Sequence, residues 1–165
     1  MKKILGAAAA VAILAASAPA FAAVSDSAPA TVNIITPLSV TASGSLNFGN
    51  ILSGAGGTVV VSNAGVRSAG TIAGTELLGG VASTAPNFHV VGDTLGGAQY
   101  HMSYVTAPLH NAGGTDMPLS SLTPSNVSGT LSGTVDITVG ATLTVGATQT
   151  PGTYTGSITA TATYN

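Results

Sequence analysis

The chain has 165 residues, of which only 3 are Lys or Arg and 5 are Asp or Glu, where an ordinary soluble domain is about a quarter charged. Lys2 and Lys3 leave Arg67 as the one cation further along, facing Asp26, Glu76, Asp93, Asp116 and Asp136. Nucleic-acid binding is therefore excluded, because it draws its affinity from clustered Lys and Arg. Acids, bases and cations are also too few for most polar catalysis. The 22 Gly, the Thr-rich background and the lack of Cys and Trp point to an all-β structural protein rather than an enzyme.

The chain opens with basic Met1-Lys2-Lys3, an apolar run from Ile4 to Ala16, and the small-residue box Ala20-Phe21-Ala22. That order predicts a secretory signal peptide over residues 1–22, with export as its consequence. The run is shorter than the roughly 20 residues that cross a bilayer. An exported domain without Cys must hold its core without disulfides.

Beyond the signal the period is two, the spacing that sends alternate side chains to opposite faces of a strand. It predicts strands at Thr31–Thr41, Ser45–Ile51, Thr58–Ser62, Gly70–Ile72, Glu76–Val81 and Asn87–Val91, then at Gln99–Thr106, Leu119–Leu122, Thr134–Val139, Ala141–Val145 and Thr153–Tyr164. Turn formers separate them, among them Ser53-Gly54-Ala55-Gly56-Gly57, Asn63-Ala64-Gly65, Gly92-Asp93 and Gly96-Gly97. Many short strands with Gly-rich turns describe an antiparallel β-sandwich rather than βαβ units. Within Thr134–Val145, Gly140 marks a bulge or bend. Residues 37–165 read as one domain.

The last predicted strand alternates without a break. Thr153, Thr155, Ser157, Thr159, Thr161 and Thr163 share one face; Tyr154, Gly156, Ile158, Ala160, Ala162 and Tyr164 share the other. Pro151-Gly152 supplies the turn leading in.

An alternating strand ending Tyr164-Asn165, with Gly152 upstream, resembles the C-terminal motif of pilin subunits from chaperone–usher fibres. The segments Ser45-Leu46-Asn47-Phe48-Gly49-Asn50-Ile51 and Leu143-Thr144-Val145 through Pro151-Gly152-Thr153-Tyr154-Thr155-Gly156 extend that likeness. From about Thr31 to Asn165 the chain resembles the secreted bacterial family known as domain of unknown function 4402, similar to Mat/Ecp-type fimbrial major subunits. The resemblance implies an immunoglobulin-like sandwich lacking its last strand, with an apolar groove in its place. A periplasmic chaperone fills such a groove until the N-terminal extension of the next subunit replaces it at an outer-membrane usher. It also implies a cell-surface fimbria serving adhesion or biofilm formation. Strand addition of this kind takes affinity from main-chain hydrogen bonds and specificity from alternate side chains.

The matching donor would be residues 23–36, where Val24, Ala28, Ala30, Val32 and Ile34 share one parity, Val32 and Ile34 being the bulkiest of the late positions. Asp26 falls on the same parity and Ile35 on the other. The alternative is a self-complete secreted sandwich that binds carbohydrate or protein through Gly-rich loops, and it would pair Ala23–Thr36 within its own fold.

Other motifs carry no chemistry. His89, His101 and His110 match no metal-ligand spacing, so no metal and no cofactor are expected. Gly54-Ala55-Gly56-Gly57-Thr58 lacks the Lys and the following helix of a phosphate loop. Asn126-Val127-Ser128 matches the N-glycosylation triplet, which is common by chance. No Ser has the strand–elbow–helix setting of a hydrolase nucleophile. Tyr100, Met102 and Tyr104, on one parity, read as core filling.

Overall fold

The computed structural model describes residues 23–165, so the expected signal segment 1–22 lies outside the described residues. The chain divides between Asn33 and Ile34. Of the first unit, residues 23–33 carry no helix or strand and are exposed throughout, Val24 at 97% and Val32 at 82%.

The second unit is all-β. Its strands are β1 (Ser39–Ser43), β2 (Asn50–Ile51), β3 (Gly57–Val61), β4 (Arg67–Ala69), β5 (Leu77–Leu78), β6 (Asn87–Val91), β7 (Gln99–Thr106), β8 (Leu119–Pro124), β9 (Ser128–Thr130), β10 (Thr134–Val145) and β11 (Ile158–Tyr164), with one 3-10 turn at Gly74–Glu76. All pairings are antiparallel. One sheet runs β1-β6-β10-β3-β4 with β8 also on β10; a second runs β11-β7-β9; β2 and β5 pair by themselves. The antiparallel sandwich that the periodicity predicts is the architecture found.

The long strand β10 organises the larger sheet. Thr134–Thr138 pairs with β6 and Ala141–Val145 pairs with β3. The amide of Val139 reaches Pro86 on that edge, while Thr144 turns its amide to Pro118 and Thr138 accepts from Ser125 on the β8 edge. Partners change at Gly140, where a Cβ would collide with the backbone of Val61, Ser62 and Asn63. Only glycine lets a neighbouring main chain come that close. Opposite it, β8 shifts register, so Ser121 and Leu122 together face Ala141. Ser121 takes a φ of 45° at this bulge. An extra residue re-aims the strand, and Leu122 packs against both hydrophobic clusters.

Those clusters divide the core. One gathers Phe88, Val90, Tyr100, Met102, Leu131, Ile137 and Val139 between the two large sheets. The other gathers Phe48, Val59, Val61, Ile72, Met117, Ala141, Leu143 and Val145 beneath β3 and the second half of β10. Packed against this second core are Ile51, Leu77, Leu119 and Leu122 from β2, β5 and β8, and from outside the strands Leu46, Leu109 and Tyr154.

Several predicted strand limits are corrected. The stretch Thr31–Thr41 is strand only from Ser39, because Pro37 has no N–H to donate and fixes its own φ. Thr153–Tyr164 is strand only from Ile158; Thr155 makes a lone bridge to His110, after which the chain transfers to β7. Gly156 sits at that transfer because a Cβ would press on the Pro108 carbonyl at 2.7 Å. Ser45–Ile51 contributes a bridge from Asn47 to Thr84 and then the two residues of β2. Glu76–Val81 reduces to the end of the 3-10 turn and β5, and the strand expected at Gly70–Ile72 lies earlier, at Arg67–Ala69. The predicted halves Thr134–Val139 and Ala141–Val145 are one strand. Strand β9 has no counterpart among the sequence expectations.

Candidate functional site: the open side of the sandwich

The two lateral sides of the sandwich differ. On one, the chain passes directly from sheet to sheet: Ser125 donates to Thr138 of β10, and Val127 accepts from Met102 of β7. On the other, β1 pairs only with β6 and β11 only with β7, and no strand bridges them among the described residues.

The hydrogen-bond phase shows what this side offers. Asn165 donates to Gln99 and Ala107 donates to Ser157, so odd-numbered residues serve the β7 edge. Ile158, Ala160, Ala162 and Tyr164 consequently turn their N–H and C=O groups to the open edge, while their half-buried side chains pack on the core cluster between the sheets. An edge of this kind is a template for another strand. The sequence pattern at Tyr154, Gly156, Ile158, Ala160, Ala162 and Tyr164 thus resolves into two groups. The last four lie together along the edge, whereas Tyr154 joins the second core and Gly156 is exposed.

Two clefts that share lining residues lie beyond the Ile158 end of this edge. One, of about 390 Å³, is bounded by Ala42 and Gly44 on one wall, by Thr155 and Ile158 on the other, and floored by Phe88. The second, of about 500 Å³, continues from Leu46 and Phe48 towards Leu143, Val145 and the turn Pro151-Gly152. Leu46, Phe48, Leu109 and Tyr154 line both. Tyr154 is held in place by its hydroxyl, which donates to Thr150 at 2.9 Å and accepts from the buried Gln149 at 3.1 Å. Gly152 takes a φ of 151° at the cleft rim, beside Asn111, which donates to the Thr153 carbonyl at 2.7 Å. Exposed Leu52, Leu78 and Val81 stand near the mouth of the larger cleft.

Sequence reasoning missed Leu46, Phe48, Leu109 and Met117 as groove residues. Leu46 and Phe48 have the period-two signal, but Leu109 and Met117 come together only through their antiparallel bridge. The candidate donor residues Val32 and Ile34 are exposed, Ile34 at 86%. They lie in different units, and Ile34 belongs to the one that holds the sandwich.

Tyr164 does more than pack. Its hydroxyl accepts from the Asp93 amide at 2.7 Å and donates to the Thr36 carbonyl at 2.7 Å. Gly92 makes the space, since a Cβ there would stand 2.5 Å from the hydroxyl and 2.7 Å from Leu131 and Leu38.

The polar residues have structural partners. Arg67 donates to the carbonyls of Phe48, Asn50 and Leu78, tying the β2–β5 pair to β4. His89 meets Asp136 at 2.9 Å across β6 and β10, and His110 meets Asp116 at 2.6 Å. Hydrogen bonds from Asn87 and then His89 hold the Asp136 carboxyl below its ordinary range. His101 is exposed on β7. Among the described residues no three metal-ligating side chains converge. Tyr100 is buried and Tyr104 half-buried, as core filling would be, and burial pushes both phenols up. Asn126 is exposed in an Asx turn onto Ser128.

No curated protein matches the chain, and no solved structure does. A family model matches residues 38–164, most of the chain and the whole of the sandwich from β1 to β11. The chain belongs to the family described as domain of unknown function (DUF4402).

Proposed function

We propose that this protein is a structural subunit of an extracellular fimbria-like fibre, joined to its neighbours by donated strands and serving adhesion or biofilm formation. In this reading the resemblance to Mat/Ecp-type pilins is one of mechanism. The subunit crosses the periplasm with a chaperone strand on its open side, and at an outer-membrane usher exchanges it for the N-terminal segment of an identical or related subunit. The observation that carries the reading is the unbridged side between β1 and β11. It combines a bare main-chain edge at Ile158, Ala160, Ala162 and Tyr164 with an apolar groove floored by Phe88 and continued past Leu46 and Phe48. Within the same chain, residues 23–33 form no strand and expose Val24 and Val32, with exposed Ile34 just beyond. An extended segment with alternating apolar side chains is what a sheet edge above a groove accepts. The competing reading, a self-complete binding module, needs Ala23–Thr36 paired within the fold, and among the described residues no strand begins before Ser39.

The test is to delete Ala23–Asn33, and separately to make Ile34→Asp, in the exported protein. Each variant is expected to be secreted and folded but unable to polymerise, because an unpaired carboxylate is costly in an apolar groove. Normal fibres from the deletion variant in electron micrographs would overturn the reading. Unfolding of the monomer by either change would favour the binding module.

A further inference from the structure

We propose that Tyr164 is a positioning residue that fixes the root of the N-terminal segment to the open edge of the sandwich. The inference starts from the hydrogen bond that the Tyr164 hydroxyl donates to the Thr36 carbonyl. Thr36 is exposed, and it lies ahead of every strand among the described residues. A local main-chain partner could satisfy its carbonyl, or water could. It is met instead by a side chain 128 positions away.

Three features make this contact more than incidental. The hydroxyl is held from behind by the amide of Asp93, a residue only 2% exposed. Donor and acceptor roles are both used, so the O–H is aimed at Thr36 rather than free to rotate. The approach depends on Gly92, where any Cβ would occupy the space of the Tyr164 hydroxyl, the Leu131 methyl and the Leu38 methyl. The root is also stiff in itself: Pro37 fixes φ, and a residue before proline is confined to extended conformations. Just past it, Leu38 and Val40 pack on the same cluster as Tyr164. The chain preceding Thr36 therefore starts from a defined point rather than from a loose tail.

The position of Tyr164 gives the anchor its consequence. Its main chain belongs to the open edge of β11, the edge to which the proposed incoming strand would bond, while its hydroxyl holds the root of the segment this subunit would donate. One residue thus links the acceptor side of a subunit to the origin of its own donor segment. This consequence rests on the fibre reading; the anchor itself does not.

The chain has no Cys, so single cysteines can carry a spin label without background. Labels are placed at Ile35→Cys beside the root, at Thr41→Cys in β1 and at Ser27→Cys in the N-terminal segment. In the wild-type background the label at 35 is expected to be nearly as restrained as that at 41 and far more than that at 27. Tyr164→Phe keeps the ring and removes both hydrogen bonds. It is expected to shorten the correlation time at 35 at least twofold and to speed exchange of the Asp93 amide about tenfold, with the label at 41 unchanged. A label at 35 that moves as freely as that at 27 in the wild type would overturn the anchor without any Tyr164 variant. So would an unchanged label at 35 in a folded Tyr164→Phe protein.

Fibre yield separates the two readings. If Tyr164→Phe frees the root and lowers yield several-fold while the Ala23–Asn33 deletion abolishes fibres, both stand. If the deletion still polymerises, the fibre mechanism fails and the label data decide the anchor alone.

Discussion

The two halves of β10 lie in the same strand and face different worlds. Ahead of Gly140, Ile137 and Val139 are fully buried between two hydrogen-bonded sheets, where Phe88 and Val90 meet Tyr100 and Met102. Beyond Gly140, Ala141, Leu143 and Val145 are just as apolar, but the layer across from them is built in part of connecting segments around Leu46, Leu109 and Tyr154. The first half has the close packing of a domain interior. The second leaves a cleft of about 500 Å³ along Leu143 and Val145, while the cleft of about 390 Å³ lies where the two cores meet, with Phe88 of the first cluster and Phe48 of the second in its lining. A sheet can cover a sheet without gaps because strand side chains interdigitate at a fixed spacing, whereas loops cover it only where individual side chains happen to reach. The difference separates a half packed sheet on sheet, which also carries the open edge of β11, from a half that keeps a cleft beside its core.

The largest expected effect breaks the comparison directly. Ile137→Ala removes a fully buried side chain between two sheets that cannot collapse inwards, and should cost about 2–5 kcal/mol by denaturant unfolding. Leu109 lines both clefts and is half-buried. Leu109→Ala enlarges a space that is already open and gives up only part of the burial of a Leu, so about 1 kcal/mol is expected. Equal losses at the two sites would show that both halves are packed alike, and the distinction would fall.

A smaller effect sharpens the boundary between the halves. Ser121 holds a φ of 45° at the bulge that aims Leu122 into both clusters. A left-handed conformation costs an L-residue about 1–2 kcal/mol, and glycine avoids that cost while losing about 0.5–1 kcal/mol in chain entropy. Ser121→Gly should therefore stabilise the protein by about 0.5 kcal/mol, with the register of β8 on β10 unchanged. Destabilisation would mean that the serine side chain holds the bulge.

The same division explains what the sequence made legible. Strands β6 and β7 appear with the predicted limits because Phe88 and Val90, and Tyr100, Met102 and Tyr104, alternate with polar neighbours and meet another sheet. At Gly140, which the sequence marks as a bulge or bend, the strand runs on but changes partner, and the extra residue lies opposite it in β8. In the loop-covered half, apolar periodicity overstated the strands. Leu46 and Phe48 alternate because they plug a core, and Tyr154 shares the parity of Ile158 although the chain changes partners between them. Strand β9 was invisible because Ser128-Gly129-Thr130 has no apolar signal and is defined only by its pairing with β7. The open side was not legible from local pattern alone. It depends on which strands fail to pair, and the Tyr164–Thr36 contact depends on Gly92, which local reasoning marks only as part of a turn.

The smallest expected effect lies on the outer face of the well-packed half, where Asp136 of β10 accepts from Asn87 at 2.9 Å and meets His89 of β6 at the same distance. These hydrogen bonds favour the ionised carboxylate and lower its pKa, with Asn87 the larger cause. A carboxyl whose pKa is depressed on folding binds protons more readily when unfolded, so its contribution to stability is present above the unfolded value of about 3.9 and is lost as pH falls through the lower folded value. Asp136→Asn should therefore lower the melting temperature slightly at pH 7, and the difference should vanish in strong acid, where the wild-type carboxyl is protonated as well. Because the pair is exposed, salt should also shrink any ionic part of the effect. If the variant differed by the same amount at every pH, the cause would be lost packing or geometry at the β6–β10 contact rather than charge. That outcome would make even the surface of this half part of its close packing, a sharper contrast with the loop-covered side than the two cores alone provide.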